Sequence, residues 1–137
     1  LVLQYITFPE SRYEQYLKNT DFTQIYIFPG SCLMSNYEVM RSVHRTSDLM
    51  LADVETIGQH YATTLRQWRA NVEKNRKEIR ELGYSEKFMR QWLYYLCFCE
   101  AGFAERAIND VQVVFSRAHT KKQGDFHAAG KPYLDRL

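Results

Sequence analysis

Tyr61 follows Gly58-Gln-His at the opening of a helical stretch, where free backbone N–H groups favour an anion and a phenol can help to hold one. Two other clusters bring chemistry-bearing or aromatic types together. Tyr26-Ile-Phe-Pro-Gly30 with Cys32-Leu33 sets large apolar residues beside a turn. Trp92-Leu-Tyr-Tyr-Leu-Cys-Phe-Cys-Glu-Ala-Gly-Phe103 with Arg106 forms an aromatic helix with one carboxylate, Glu100. Taken singly, each reads as packing, because a tyrosine on an apolar helix face is usually core with its hydroxyl satisfied.

Other chemistry is missing from the pattern. The six glycines fall at 30, 58, 83, 102, 124 and 130, so neither a Gly-x-Gly-x-x-Gly turn nor a P-loop exists. No Gly-x-Ser-x-Gly elbow occurs, and the histidines at 44, 60, 119 and 127 lack the i, i+4 spacing of a helical zinc motif. Cys97 and Cys99 diverge on a helix and Cys32 stands alone in a loop, so buried free thiols are expected rather than a ligand cluster.

The net charge of +2 is spread along the helices and gives nucleic-acid binding no support. No apolar run approaches the ~20 residues that span a bilayer, and no signal-peptide pattern opens the chain. A soluble, cytoplasmic protein is the expectation. A first residue of Leu1 rather than Met suggests a fragment, a processed product or a lost beginning.

Elements must position these clusters. Leu1 to Phe8 reads as a short buried strand closed by Pro9, its brevity fitting a central position, and a helix follows from Ser11 through Leu17. A short segment carries Phe22, Ile25, Tyr26 and Phe28 into the Pro29-Gly30 turn. Tyr37 to His44 has helical spacing, and Asp48 to Ile57 alternates as a strand does. Tyr61, Leu65, Trp68, Val72, Ile79 and Leu82 recur at three and four, predicting one long helix over 59–82 with Gly83 as its C′ residue. Ser85 caps the aromatic helix, and Ile108 to Phe115 reads as a strand buried on both faces. Helices alternating with buried strands give an α/β layer structure of about three strands, with an open sheet edge through which copies could associate. Residues 1–118 form the folded part, and 119–137 read as a mobile tail.

As an ordered set the clusters are specific. Tyr26-Ile-Phe-Pro-Gly30 with Leu33 and Ser35, His60-Tyr61-Ala-x-Thr-Leu-x-x-Trp-Arg69, Leu82-Gly-Tyr84, Trp92-x-Tyr-Tyr-Leu with Cys99-Glu-Ala-Gly-Phe103, and Val111-Gln-Val113 before Arg117 follow one another. From Leu3 to Arg117 the chain resembles the C-terminal half of cyclopropane-fatty-acyl-phospholipid synthases and the related mycolic acid methyltransferases.

The resemblance implies a class I S-adenosylmethionine-dependent methyltransferase sheet, Rossmann-like, of which this chain holds the last three strands, the final one antiparallel between the other two. It implies that the glycine-rich cofactor loop, with the family's Cys and Glu, lies upstream. The family's methyl group goes to a cis double bond of a phospholipid acyl chain at the membrane surface, and a bound bicarbonate takes a proton so that the ring closes. By position, Tyr61 matches the tyrosine that hydrogen-bonds the bicarbonate, Gln4 falls where many members have histidine, and Ile6 falls where a backbone group touches the ion. Gln4 is a departure, since an amide orients an anion but does not titrate. Ser31 and Met34 also depart from the usual loop residues. Three readings stay open: a lipid cyclopropane synthase, the same fold acting on another acceptor, and a non-catalytic or oligomerising module.

Overall fold

The computed structural model describes residues 1–118, so the tail expected over 119–137 lies outside the described residues. The elements run β1 (Val2–Thr7), α1 (Glu10–Leu17), α2 (Phe22–Tyr26), α3 (Asn36–Thr46), β2 (Leu49–Thr56), α4 (Gly58–Lys74), α5 (Arg76–Glu81), α6 (Glu86–Ala104) and β3 (Asn109–Arg117). The sheet order is β1-β3-β2 with both pairings antiparallel, so the last strand in sequence lies in the middle. This is the α/β arrangement of about three strands with flanking helices that the sequence implies.

The pleat of β3 sends its side chains to two different layers. Val111, Val113 and Phe115 are buried with Leu3, Tyr5, Met40, Val43 and Leu49, which joins all three strands to α3. On the opposite face Ile6 packs against Ala62, Leu65, Leu96 and Phe103, the seam between α4 and α6. Asp110 and Ser116 are buried on that second face, whereas Gln112 is exposed, so β3 is not uniformly apolar on both sides as its composition suggests.

Three further expectations need correction. Within this sheet β1 is an edge strand, not a central one, because among the described strands it pairs with β3 alone, its far side meeting only an isolated bridge from Thr7 to Met34. The helix over 59–82 is two helices: Asn75, at φ −97° and ψ 19°, leaves the helical region between α4 and α5, and both its backbone N–H and its side-chain amide donate to the Asn71 carbonyl at 3.0 Å. Cys32 and Cys97 are exposed, and only Cys99 is half-buried.

Local chemistry sets the helix ends. The Ser85 hydroxyl accepts from the Phe88 amide, as its position predicts, and Ser35 does the same for the Glu38 amide. Asp21 and Gln24 form a reciprocal capping box that makes the short segment after Thr20 a helix. Gly83 takes φ +96° and its N–H reaches the Arg80 carbonyl at 2.9 Å, while Tyr84 N–H reaches Ile79 at 3.4 Å, a Schellman end that favours glycine.

Candidate functional site: an apolar groove beside Tyr61

The loop after α2 is pinned by its own polar groups. Leu33 N–H donates to the Tyr16 hydroxyl at 2.9 Å, and the Gln24 amide donates to the Ser31 carbonyl at 2.9 Å. Phe8 stacks on Tyr16 with ring centroids 4.4 Å apart, and Phe28 meets Tyr95 edge-on at 5.8 Å. The turn that sequence alone assigns to packing is thereby held over the aromatic face of α6. Between them lies a groove of about 520 Å³ whose wall includes Ile6, Phe28, Leu33, Tyr95, Phe98 and Phe103. Its lining is mostly apolar, which suits an acyl chain.

The second sequence cluster joins the groove from behind. The Tyr61 ring packs on Phe103 with centroids 4.9 Å apart and meets Trp68 edge-on at 6.1 Å. Tyr61 and Ile6 pack against the same buried group of Ala62, Leu65, Leu96 and Phe103. No described residue hydrogen-bonds the Tyr61 hydroxyl, and burial, then the carboxyl of Asp110, raises its pKa, keeping it a neutral donor near neutral pH. The structure therefore brings the Phe28–Leu33 turn and the aromatic face of α6 together around one groove, while Tyr61 stands outside its lining, behind Phe103, on the buried group that Ile6 also meets.

Gln4 is placed differently. Its Nε2 donates to Asp110 Oδ2 at 2.9 Å, and its Oε1 accepts from Gln112 Nε2 at 3.0 Å. One amide hydrogen of Gln4 is thus committed, which leaves the other to a ligand. Asp110 is 1% exposed, with Oδ1 unpartnered among the described residues. Burial raises its pKa against the opposing bond from Gln4. Sequence reasoning missed Asp110, although a carboxylate inside an apolar strand is itself a signal, because such a group is rarely buried without a purpose or a partner.

Asn109 builds the start of α4. Its Oδ1 accepts from Gly58 N–H at 3.2 Å and from Asp110 N–H at 2.9 Å. A polar cavity of about 380 Å³ opens here, lined among others by Gly58, His60, Arg106 and Asn109. Arg106 takes φ 54°, the left-handed C′ position of α6, with Ala107 N–H bonded to the Gly102 carbonyl at 2.8 Å. Its guanidinium faces Gln59, whose amide oxygen, turned toward it, accepts from Nη2 at 2.9 Å and Nε at 2.7 Å.

Several candidate groups are committed to structure. Glu100 accepts from Arg66 at 2.9 Å and from Arg69 at 3.1 Å, clamping α4 to α6, and these two guanidinium groups hold its carboxyl below the usual carboxylate range. Burial pushes the Cys99 thiol up to about 11 and the Tyr95 phenol up to about 12, so both stay protonated near neutral pH. No helix among the described residues is long and apolar enough to cross a membrane.

The described residues do not build a cofactor loop. The turn from β1 to α1 is Phe8-Pro9, and Ile57 alone separates β2 from α4, with Gly58 the first helical residue, so the clustered glycines that let backbone approach a dinucleotide-like ligand are not among them.

Comparison with known proteins adds relationship to geometry. The family described as mycolic acid cyclopropane synthetase matches residues 1–113. Tuberculostearic acid methyltransferase UfaA1 of Mycobacterium tuberculosis is 35% identical over 103 residues, 75% of this chain and 24% of the relative. Cyclopropane-fatty-acyl-phospholipid synthase of Escherichia coli strain K12 is 38% identical over 94 residues, 67% of this chain and 23% of the relative. The chain thus spans about a quarter of the length of these curated relatives. The crystal structure of mycolic acid cyclopropane synthase CmaA1 complexed with SAH and CTAB superposes with a TM-score of 0.69 at 25% identity, over 83% of this chain and 42% of that one. The cyclopropane synthase MmaA2 from Mycobacterium tuberculosis shares the fold, with a TM-score of 0.74 at 21% identity over 85% of this chain and 44% of that one.

Proposed function

The chain belongs to the mycolic acid cyclopropane synthetase family, and on that premise we propose that it supplies the acyl-chain groove and an anion-holding tyrosine to an S-adenosylmethionine-dependent lipid methyltransferase. The reaction is addition of a methylene across a cis double bond of a phospholipid acyl chain reached at the membrane surface. The observation that supports this most is the apolar groove that joins Ile6, the pinned Phe28–Leu33 loop and the aromatic face of α6, with Tyr61 packed behind Phe103.

S-adenosylmethionine is proposed as the methyl source because the CmaA1 structure was solved with SAH. When bound, it supplies a methyl group to the double bond and leaves the acyl chain cationic. The part of this chain is to keep water from that cation, a role in which the Phe28, Tyr95, Phe98 and Phe103 side chains would pack against the bound acyl chain. Ring closure also needs a base held beside the chain. Bicarbonate is the proposed base. The Tyr61 hydroxyl, neutral and without a described partner, has the chemistry to donate to it, as do the Ile6 backbone and the second amide hydrogen of Gln4.

A second reading keeps the fold and changes the acceptor. It is favoured by Gln4, whose amide does not titrate and is half committed to Asp110. Lipid mass analysis after expression of the complete protein that carries this chain separates the two. Unsaturated chains heavier by CH₂ support the cyclopropane reading, and unchanged unsaturated lipids favour the other acceptor.

A further inference from the structure

Arg106 is the one non-glycine residue with a positive φ among the described residues, at 54°. It stands at the C′ position of α6, where its N–H meets the Phe103 carbonyl at 3.2 Å and the Ala107 N–H meets the Gly102 carbonyl at 2.8 Å. Glycine closes such an end without strain, so the fold alone does not call for an arginine here. The side chain is exposed, and among the described residues no carboxylate forms an ion pair with it; its Nε and Nη2 face the neutral amide oxygen of Gln59 at 2.7 and 2.9 Å. Glu10, which shares a neighbouring cavity of about 230 Å³ with Arg106, accepts instead from the Tyr37 N–H. The positive charge thus has no described counterion, and the outer edge of the guanidinium, Nη1 and Nη2, keeps the fork that meets a phosphate at two points.

The cavity that Arg106 lines is about 380 Å³, the size of a small-molecule site, and its wall of Thr56, Gly58, Gln59, His60 and Asn109 holds no carboxylate among the described residues. Asn109 accepts at Oδ1 from two backbone amides, so its NH₂ is what remains to face a ligand. The site does not rest on the end of α4, because the Gly58 and His60 N–H groups are bonded to Asn109 Oδ1 and to the Ile57 carbonyl. Phe103 and Ile108 belong both to this polar wall and to that of the apolar groove. A polar, cationic cavity therefore adjoins an apolar groove, a surface complementary to an amphiphile with an anionic head. Resting on the reading of the groove as an acyl-chain site, we propose that the cavity at Arg106 holds the phosphate of the head group whose chain lies in the groove. Arg106 is its binding residue, and the Gln59 amide fixes the plane of the guanidinium.

The test compares dodecyl phosphate, dodecyl maltoside and inorganic phosphate at constant ionic strength and about pH 8, where the phosphates are dianionic, with both amphiphiles below their critical micelle concentrations. Binding is read from backbone amide shifts, at Phe98 and Ala101 for the groove and at Gln59 and Arg106 for the cavity. Both amphiphiles are expected to move the groove signals. Only dodecyl phosphate of the two is expected to move the cavity signals, and to bind about tenfold or more tightly than dodecyl maltoside. Inorganic phosphate, which lacks the chain, is expected to bind more weakly than dodecyl phosphate. Arg106→Gly and Arg106→Asn, both at ease at a φ of 54°, are expected to change the unfolding midpoint little and to lose the preference for the phosphate head. Equal affinity for the two amphiphiles, a preference that survives in both variants, or inorganic phosphate binding as tightly as dodecyl phosphate, overturns this proposal and leaves the groove reading intact. Groove signals that neither amphiphile moves overturn both.

Discussion

The side chain of Gln4 on β1 donates to the carboxyl of Asp110 on β3 at 2.9 Å, across 106 residues of sequence. The bond lies on the sheet face on which Ile6 meets the apolar seam of α4 and α6, at the margin of that seam, where Gln4 and Gln112 are exposed. Because burial raises the folded-state pKa of Asp110, the native protein binds more protons than the unfolded chain between the ordinary aspartate pKa and the raised one. Stability from this group is therefore full below about pH 3.9 and is lost as pH rises through the folded value. Asp110→Asn is expected to remove that decline, and urea unfolding at several pH values measures it.

Glu100 carries the opposite sign. Arg66 and Arg69 hold its pKa below the ordinary glutamate value, so its contribution is present above about pH 4.3 and is lost as pH falls through the folded value. Glu100→Gln is expected to flatten the acid limb of the stability profile with only a small change at neutral pH, since exposed ion pairs contribute little. Thermal unfolding of the two proteins across the acid range checks this.

Gly58 is required by closeness rather than by its backbone angle. A Cβ there would lie 2.3 Å from Asn109 Oδ1 and 3.0 Å from the Asp110 backbone nitrogen, inside the cap that opens α4. Gly58→Ala is expected to cost about 1–3 kcal/mol by overpacking, read from the urea midpoint. Asn109→Ala, which removes the cap without adding bulk, is expected to cost about 1 kcal/mol.

Leu65 is 1% exposed in the seam that backs the groove. Leu65→Ala is expected to cost about 2–5 kcal/mol by leaving a cavity between α4 and α6. The urea midpoint checks it.

The sequence made the helices legible where apolar spacing and caps agree, as in the Ser85-capped aromatic helix and the Gly83 end. It failed where a single residue departs from the pattern. The apolar repeat runs through Asn75, yet the Asn75 backbone, at φ −97° and ψ 19°, leaves the helical region and divides α4 from α5. Cys97 sits within an apolar run but points outward, because only one stripe of α6 can face α4. Strand order came from the resemblance, since pairing partners far apart in sequence leave no local signal. For the site, the three aromatic clusters were visible, but the polar pair of Gln4 and Asp110 depends on register between strands 106 residues apart.

The central claim is that the Tyr61 hydroxyl serves a reaction and not the fold. In the complete protein that carries this chain, Tyr61→Phe should lower the yield of CH₂-extended lipid chains by about 10²-fold or more, the range of a lost positioned proton-transfer or anion-holding group. Its unfolding midpoint should change little, because the phenol has no described hydrogen-bond partner and keeps its packing on Phe103. Equal lipid modification by the two proteins would contradict the account.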